Sequence, residues 1–98
     1  MGNNNNPVVD KSRSFAIRIV NVYKLLTSGR KEYVLSKQLL RSGTSVGANV
    51  KEAIRGQSKA DFIAKMNIAL KEISETEYWL DLLHATDFIT DKEFNTNH

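Results

Sequence analysis

Two glycines in the stretch LLRSGTSVGANVKEAIRG, residues 39–56, raise the question of a phosphate-binding loop. A Walker-type loop needs G-x-x-x-x-G-K-[ST] between a strand and a helix, because its backbone N–H groups must point at the phosphates. Gly43 and Gly47 are one residue closer than that pattern requires, and Ala48 stands where it requires lysine. Apolar residues keep helical spacing through both glycines. We therefore predict a helix in which Gly43, Gly47 and Ala48 mark a tight crossing with another helix, within the bundle or between subunits.

A row of polar residues lies on the same predicted helix at steps of four, four and three, which places them on one face. If this helix and the next are antiparallel around Gly56, Arg41 lies within one turn of several glutamates, and Glu52 lies within one turn of lysines. Such a row is either a ligand-binding strip or a buried polar network with a structural role, and we favour the structural network. Its predicted members are Arg41, Ser45, Asn49, Glu52, Glu75 and Glu77.

Catalytic and metal-binding patterns are weak throughout the sequence. There is no cysteine, which excludes thiolate nucleophiles, disulfides and cysteine metal sites. Asp81 and His84 stand three residues apart, but a carboxylate metal site in a helical bundle needs two such motifs and two further glutamates. No histidine base or elbow motif accompanies the hydroxyls of Thr44 and Ser45. We expect no catalytic residue, no metal ligand and no cofactor, and therefore a protein that is not an enzyme.

Charge is distributed unevenly along the 98 residues, although the net charge is only +3. Residues 1–71 hold 13 Lys and Arg against four acids, whereas residues 72–98 hold one Lys against seven acids. Either the basic part contacts nucleic acid, or basic and acidic helices pair within or between subunits. The candidate nucleic-acid contacts are Arg13, Arg18, Lys24, Arg30, Lys31, Lys37 and Lys51.

Hydrophobic periodicity predicts three long amphipathic helices. The first begins at Ser12 or Ser14 as its N-cap and ends at Gly29. The second runs from about residue 33 to residue 55. The third follows Ser58, which is placed as an N-cap, and it carries a heptad-like seam that is typical of bundles. The seam residues are Phe62, Met66, Ala69, Ile73, Thr76, Leu80 and Leu83.

A fourth helix, capped by Thr90 or Asp91, is predicted to be short or missing. Together with the three long helices it gives the predicted fold class, an all-α, antiparallel up-down four-helix bundle. Residues 1–11 are polar and low in complexity and are predicted to be disordered, while residues 12–98 form a single helical-bundle domain. No apolar run reaches the roughly 20 residues of a membrane span, and no signal-peptide pattern is present. We expect a cytoplasmic protein that does not enter a membrane.

Two blocks, SKQLLRSGTSVGANVKEA and SKADFIAKMNIALKEISETEYWLDLL, resemble the bacterial four-helix-bundle family of proteins encoded in intervening sequences of 23S rRNA genes. Some members of that family are labelled S23 ribosomal protein. The resemblance covers about residues 14–90. It implies an antiparallel four-helix bundle without enzymatic activity. The family's polar pattern in the second helix matches Arg41, Ser45, Asn49 and Glu52.

The resemblance also implies partners. The similar accessory variability protein of diversity-generating retroelements forms a five-fold barrel and binds nucleic acid and a reverse transcriptase. A homo-oligomer, with a pentamer as the implied assembly, is therefore expected, and RNA, DNA or a reverse transcriptase are candidate partners. Two functions remain open: a nucleic-acid-associated protein whose basic helices contact the phosphate backbone, and an assembly or adaptor module that binds no nucleic acid.

Overall fold

The structure, a computed structural model, describes residues 6–95 and contains four α-helices. Helix α1 spans Pro7–Ser28, α2 spans Leu35–Ile54, α3 spans Lys59–Ala85, and α4 is the short helix Asp91–Asn95. The described residues contain no β-strand, which confirms the predicted all-α class. Three long helices followed by a short one match the predicted bundle with a shortened fourth helix.

Helix α1 begins earlier than the sequence pattern indicated. Its N-cap is Asn6, whose side-chain oxygen accepts a backbone N–H at 3.0 Å, and Pro7 occupies the first helical position. Proline suits that position because a backbone N–H there would have no helical partner. The prediction of disorder therefore fails for residues 7–11, while residues 1–5 lie outside the described residues. Ser12, an expected cap, is instead buried inside the helix.

Helices α2 and α3 begin with different caps. Ser58 caps α3 as predicted, because its hydroxyl accepts the Asp61 N–H at 3.1 Å. Helix α2 has no side-chain cap at Val34. The buried carboxylate of Glu32 replaces that cap from the preceding loop: it accepts the N–H groups of three successive residues, the shortest N···O distance being 2.7 Å to Ser36. A negative charge at this position also complements the helix dipole.

Helix α2 lies at the centre, with α1 and α3 packed against it and their own backbones apart. The C-terminal half of the predicted α3 seam is buried, whereas Phe62 near the start of the seam is 41% exposed. The most deeply buried apolar residues of the core cluster lie where the three long helices meet. They are Ile19, Leu26, Leu39, Leu80 and Leu83.

The glycines of α2 mark the closest approach of α1. A Cβ built on Gly43 would lie 2.7, 2.8 and 2.9 Å from three side-chain atoms of Ile19, so glycine fits there and a larger residue does not. A Cβ on Gly47 would lie 3.4 Å from the carbonyl oxygen of Ser12, which is ordinary van der Waals contact. The predicted close crossing is confirmed at Gly43, and it lies within one chain. Ala48 is exposed and is not part of this contact.

The segment after α3 closes one end of the space between α1 and α3. Ile89 is buried in the core, and Phe88 and Phe94 pack against it. Beyond this closed end the space stays open as a mainly apolar cavity of about 380 Å³ between the three long helices. Leu70 at the edge of the cavity is 58% exposed. The bundle therefore has one closed half and one open half.

Candidate functional site

The face shared by α2 and α3 is held by ion pairs. The Arg41 guanidinium contacts the carboxylates of Glu72, at 3.4 Å, and of Glu75. Near the C-terminal end of α2, the carboxylate of Glu52 lies 2.9 Å from the Lys65 ammonium, and the hydrogen bond between them raises the pKa of Lys65. These contacts confirm the antiparallel register that the sequence predicted for the two helices.

The other predicted members of the polar network do not extend it across the interface. The side chains of Ser45 and Asn49 donate to backbone carbonyls one turn earlier in α2, at 2.7 and 2.9 Å. Glu77 is exposed and forms no ion pair within residues 6–95, because two positions along a helix turn it about 200° from Glu75. The Arg41 side chain is itself 49% exposed. The interface therefore carries two separate surface ion-pair groups: the predicted pairing of Arg41 with glutamates is present, but the polar row is not a buried network.

One of the seven candidate cations is paired with an acid of the same chain. Arg30, just after α1, holds Glu93 of α4 through two N···O contacts of 2.6 and 2.8 Å, and it donates to the Phe88 carbonyl at 3.0 Å. The hydrogen bonds from Arg30 and from the Thr90 N–H lower the pKa of Glu93 from 4.5 to about 2. Thr90 in turn accepts the Glu93 N–H at 3.1 Å, which confirms Thr90 as the predicted cap. Arg30 thus ties the C-terminal segment to the end of α1.

Two other candidate cations meet at a cleft between α1 and α2. Arg13 and Lys51 line a cavity of about 280 Å³ whose remaining walls are small or apolar residues. Neither cation has an ion-pair partner in the part of the chain that the structure describes. The other residues lining this α1–α2 cleft are Val9, Ser12, Ala16, Thr44, Gly47 and Ala48.

Two further candidate cations lie on the same face of the helix pair, nearer its loop. Lys24 is three turns beyond Arg13 on α1, so it lies on nearly the same side of that helix as Arg13. Lys37 is about four turns before Lys51 on α2 and lies on nearly the same side as Lys51. The antiparallel pairing of α1 and α2 places Lys24 level with Lys37. All four side chains are exposed, and none has a carboxylate partner among residues 6–95. We call these four residues the α1–α2 cationic face.

The remaining two candidates lie apart from this face. Arg18 follows Arg13 by five positions, which turns it about 140° away around α1. Lys31 lies in the loop between α1 and α2, with a φ of 56°. The seven candidates thus divide into four on one face, one in an ion pair and two elsewhere. Sequence reasoning missed the cleft itself, although small residues such as Ala16 and Ala48, within a turn of the two cations, were the available signal.

His84 and the aromatic pair have structural surroundings. The Nε2 atom of His84 lies 2.6 Å from an Asp91 carboxylate oxygen, and its ring stacks on Phe94 with centroids 4.3 Å apart. Tyr78 and Trp79 form an edge-to-face pair, and Trp79 packs against the core. Between residues 6 and 95 no group of three His, Cys, Asp or Glu side chains is placed to hold a metal ion. No helix in that range is long and apolar enough to cross a membrane.

Three long antiparallel helices with a short fourth helix define a small helical-bundle protein. Residues 4–98 match the family model of the 23S rRNA-intervening sequence protein, and the chain belongs to that family. A similar crystal structure is that of a protein with unknown function from the S23 ribosomal protein family of Bacteroides thetaiotaomicron VPI-5482. The two chains are 59% identical with a TM-score of 0.93, and the match covers 95% of this chain and 86% of that one. No curated protein matches the chain.

Proposed function

We propose that this protein is a non-enzymatic, nucleic-acid-associated bundle that binds the phosphate backbone through the α1–α2 cationic face. The observation that carries the proposal is the grouping of four exposed cations without internal partners on one side of the molecule. Two of the acids that precede α3 are engaged elsewhere, because Glu32 caps α2 and Glu52 pairs with Lys65. The four cations of this face have no carboxylate partner among residues 6–95, so an external anion can pair with them.

The spacing of the cations favours a polymer over a small anion. Lys24 lies about 16 Å along α1 from Arg13, and Lys37 lies about 21 Å along α2 from Lys51, at 1.5 Å of rise per residue. Consecutive phosphates of a nucleic-acid strand are much closer together than that, so the face spans several nucleotides. Contacts of this kind position a backbone without reading its sequence.

A second candidate function is assembly without nucleic-acid binding. The open half of the bundle and the exposed side chains of Phe62, Ile63 and Leu70 on α3 favour it, because a large apolar surface marks a protein contact. We propose that the protein self-associates through this side. The family resemblance suggests a pentamer as the assembly and a reverse transcriptase as a protein partner. Self-association is compatible with either function, since these exposed apolar side chains lie on α3 and the cationic face lies on α1 and α2.

Fluorescence anisotropy with labelled structured RNA and duplex DNA, at low and at physiological salt, tests the nucleic-acid proposal. The unsubstituted protein should bind with an affinity that falls steeply with salt, because binding releases counterions from the phosphates. Replacing the four residues of the cationic face by glutamine should abolish binding at physiological salt. It should also lower the slope of log K against log salt by up to about 4, roughly one unit for each lost phosphate contact.

A control variant with the same change of charge separates this face from net charge. It replaces Lys11, Arg18, Lys59 and Lys71 by glutamine, again one arginine and three lysines, and each of these residues also lacks a recorded ion pair. Both variants change the formal charge from +3 to −1, which is three minus four. Equal losses in the two variants would contradict a defined binding face. Absence of binding by the unsubstituted protein at low salt would leave assembly as the function.

A further inference from the structure

We infer that the α1–α2 cleft is a subsite for one unpaired nucleotide of a single nucleic-acid strand, an inference that rests on the proposed function. Arg13 and Lys51 would hold the phosphate at the rim, and the base or sugar would lie against the small residues of the cleft. The remainder of the cationic face, Lys24 and Lys37, would follow the backbone of the same strand away from the cleft.

The size of the cleft supports one inserted unit. Its volume of about 280 Å³ lies just below the range of about 300–1,000 Å³ that is usual for pockets enclosing a whole small molecule. A single base of a longer strand needs less enclosure, because the neighbouring nucleotides are held by contacts outside the cleft. The absence of a Cβ at Gly47 and the short side chains of Ala16 and Ala48 create this space between two closely packed helices.

The chemistry of the lining fits a nucleotide better than a simple anion. Aliphatic surface from Val9, Ala16 and Ala48 can lie against the flat face of a base, which has no charge to satisfy. The Arg13 guanidinium can stack on a base as well as contact a phosphate, and Lys51 supplies a point charge on the other helix. Neither cation is held by a carboxylate in the described chain, in contrast to Lys65, which is paired with Glu52.

The cleft therefore predicts a preference for single strands. In a duplex the bases are stacked and paired, so placing one in the cleft requires that it be unstacked first, at a cost in free energy. A duplex can still contact the cationic face through its phosphates. Filling the cleft should consequently weaken single-strand binding and leave duplex binding unchanged, whereas removing the charges weakens both.

The test uses Ala48→Leu, which fills the cleft without changing charge. Ala48 is exposed and leucine is a strong helix former, so the fold should be retained, and thermal melting by circular dichroism checks this. The control is Ala64→Leu, at an exposed position of α3 that does not line the cleft. The probes are a labelled adenine-rich DNA strand and the duplex that it forms with its complement, measured by anisotropy. Ala48→Leu should weaken single-strand binding about tenfold, while the duplex and the control stay within about twofold.

A second variant guards against an indirect effect of the leucine. Arg13→Lys keeps the charge but removes the planar group that stacks on a base, and it should weaken single-strand binding by a few fold more than duplex binding. If both variants bind the single strand as tightly as the unsubstituted protein, the cleft is not a subsite. The proposal for the cationic face is tested separately, by the variant with four glutamines. If the unsubstituted protein binds neither probe, both proposals are overturned.

Discussion

The two sides of α2 hold their neighbouring helices in different ways. Toward α3, α2 presents Arg41 and Glu52, and each meets an opposite charge on the other helix. Toward α1, α2 presents Gly43 and Gly47, and the helices approach so closely that the side chain of Ile19 fills the place of a Cβ. The first interface uses charge, and the second uses shape.

The two contacts also differ in whether the cations beside them are paired. The α1–α2 contact is built from glycine and a β-branched side chain, and the cations at its edge, Arg13 and Lys51, have no carboxylate partner among residues 6–95. At the α2–α3 contact Arg41 of α2 is paired with glutamates of α3, and Lys65 of α3 is paired with Glu52 of α2. Two cations are thus paired with acids between α2 and α3, whereas the four residues of the α1–α2 cationic face have no carboxylate partner among residues 6–95.

The largest effect is expected where the packing of α1 on α2 is tightest. Gly43→Ala places a methyl group within 2.9 Å of three atoms of Ile19, one of which is the Cβ atom and cannot move without the α1 backbone. Overpacking of about 3 kcal/mol, offset by about 1 kcal/mol of helix propensity, should lower the free energy of unfolding by about 2 kcal/mol. Urea denaturation followed by circular dichroism measures this change.

Gly47→Ala is the matched control for that substitution. Its new Cβ would come no closer than 3.4 Å to any atom of Ser12, so the free energy of unfolding should stay the same or rise by up to about 1 kcal/mol. Equal destabilisation by the two alanines would contradict a close contact centred on Gly43. It would indicate instead that the whole length of α2 must stay free of side chains on this side.

The ion pair between Arg30 and Glu93 allows the stability contributed by a paired cation to be compared with that of an unpaired one. The two side chains are 32% and 25% exposed, so solvent screens the pair only in part. Glu93→Gln should lower the free energy of unfolding at neutral pH by about 1 kcal/mol, after allowance for that screening. Arg18→Gln, which removes an exposed cation without a recorded ion pair, should change it much less.

The same pair predicts a pH dependence of stability. Because Arg30 and Thr90 lower the pKa of Glu93 from 4.5 to about 2, the stabilisation is fully present above pH 4.5 and is lost as the pH falls toward 2. Unfolding free energies measured across this window should fall less steeply for Glu93→Gln than for the unsubstituted protein. Parallel curves would show that Glu93 does not titrate with a lowered pKa.

The features that the sequence predicted correctly are those set by local rules. The Ser58 cap and the Arg41–glutamate register follow from spacing along one or two adjacent helices. The pairing of Arg30 with Glu93 could not be predicted, because the residues are 63 positions apart. Their contact depends on how the segments after α1 and after α3 fold back toward each other. The capping of α2 by the Glu32 carboxylate depends in the same way on the loop between α1 and α2. In that loop Lys31, the residue before Glu32, has a φ of 56°.

The candidate site was predicted only as a set of charges. Sequence reasoning did not group Arg13 with Lys24, although their spacing of 11 residues returns to one helix face, and it did not show which face of α2 would lie beside them. That relation follows from the packing of Ile19 on Gly43, which fixes how the two helices are rotated about their axes. The buried contact between the hydroxyls of Ser42 and Thr76, at 2.8 Å, was missed for the same reason.

The smallest loss of stability is expected at the α2–α3 contact, although this is the side of α2 that carries the ion pairs. Arg41→Gln removes the contacts with Glu72 and Glu75, but the arginine is 49% exposed, so the free energy of unfolding should fall by less than about 1 kcal/mol. A double-mutant cycle with Glu75→Gln isolates the pair. A loss above about 2 kcal/mol would contradict an exposed pair. If that loss grew with protein concentration, a second subunit would have to cover this face, and the contrast between the two sides of α2 would then be a property of the assembly as well as of the chain.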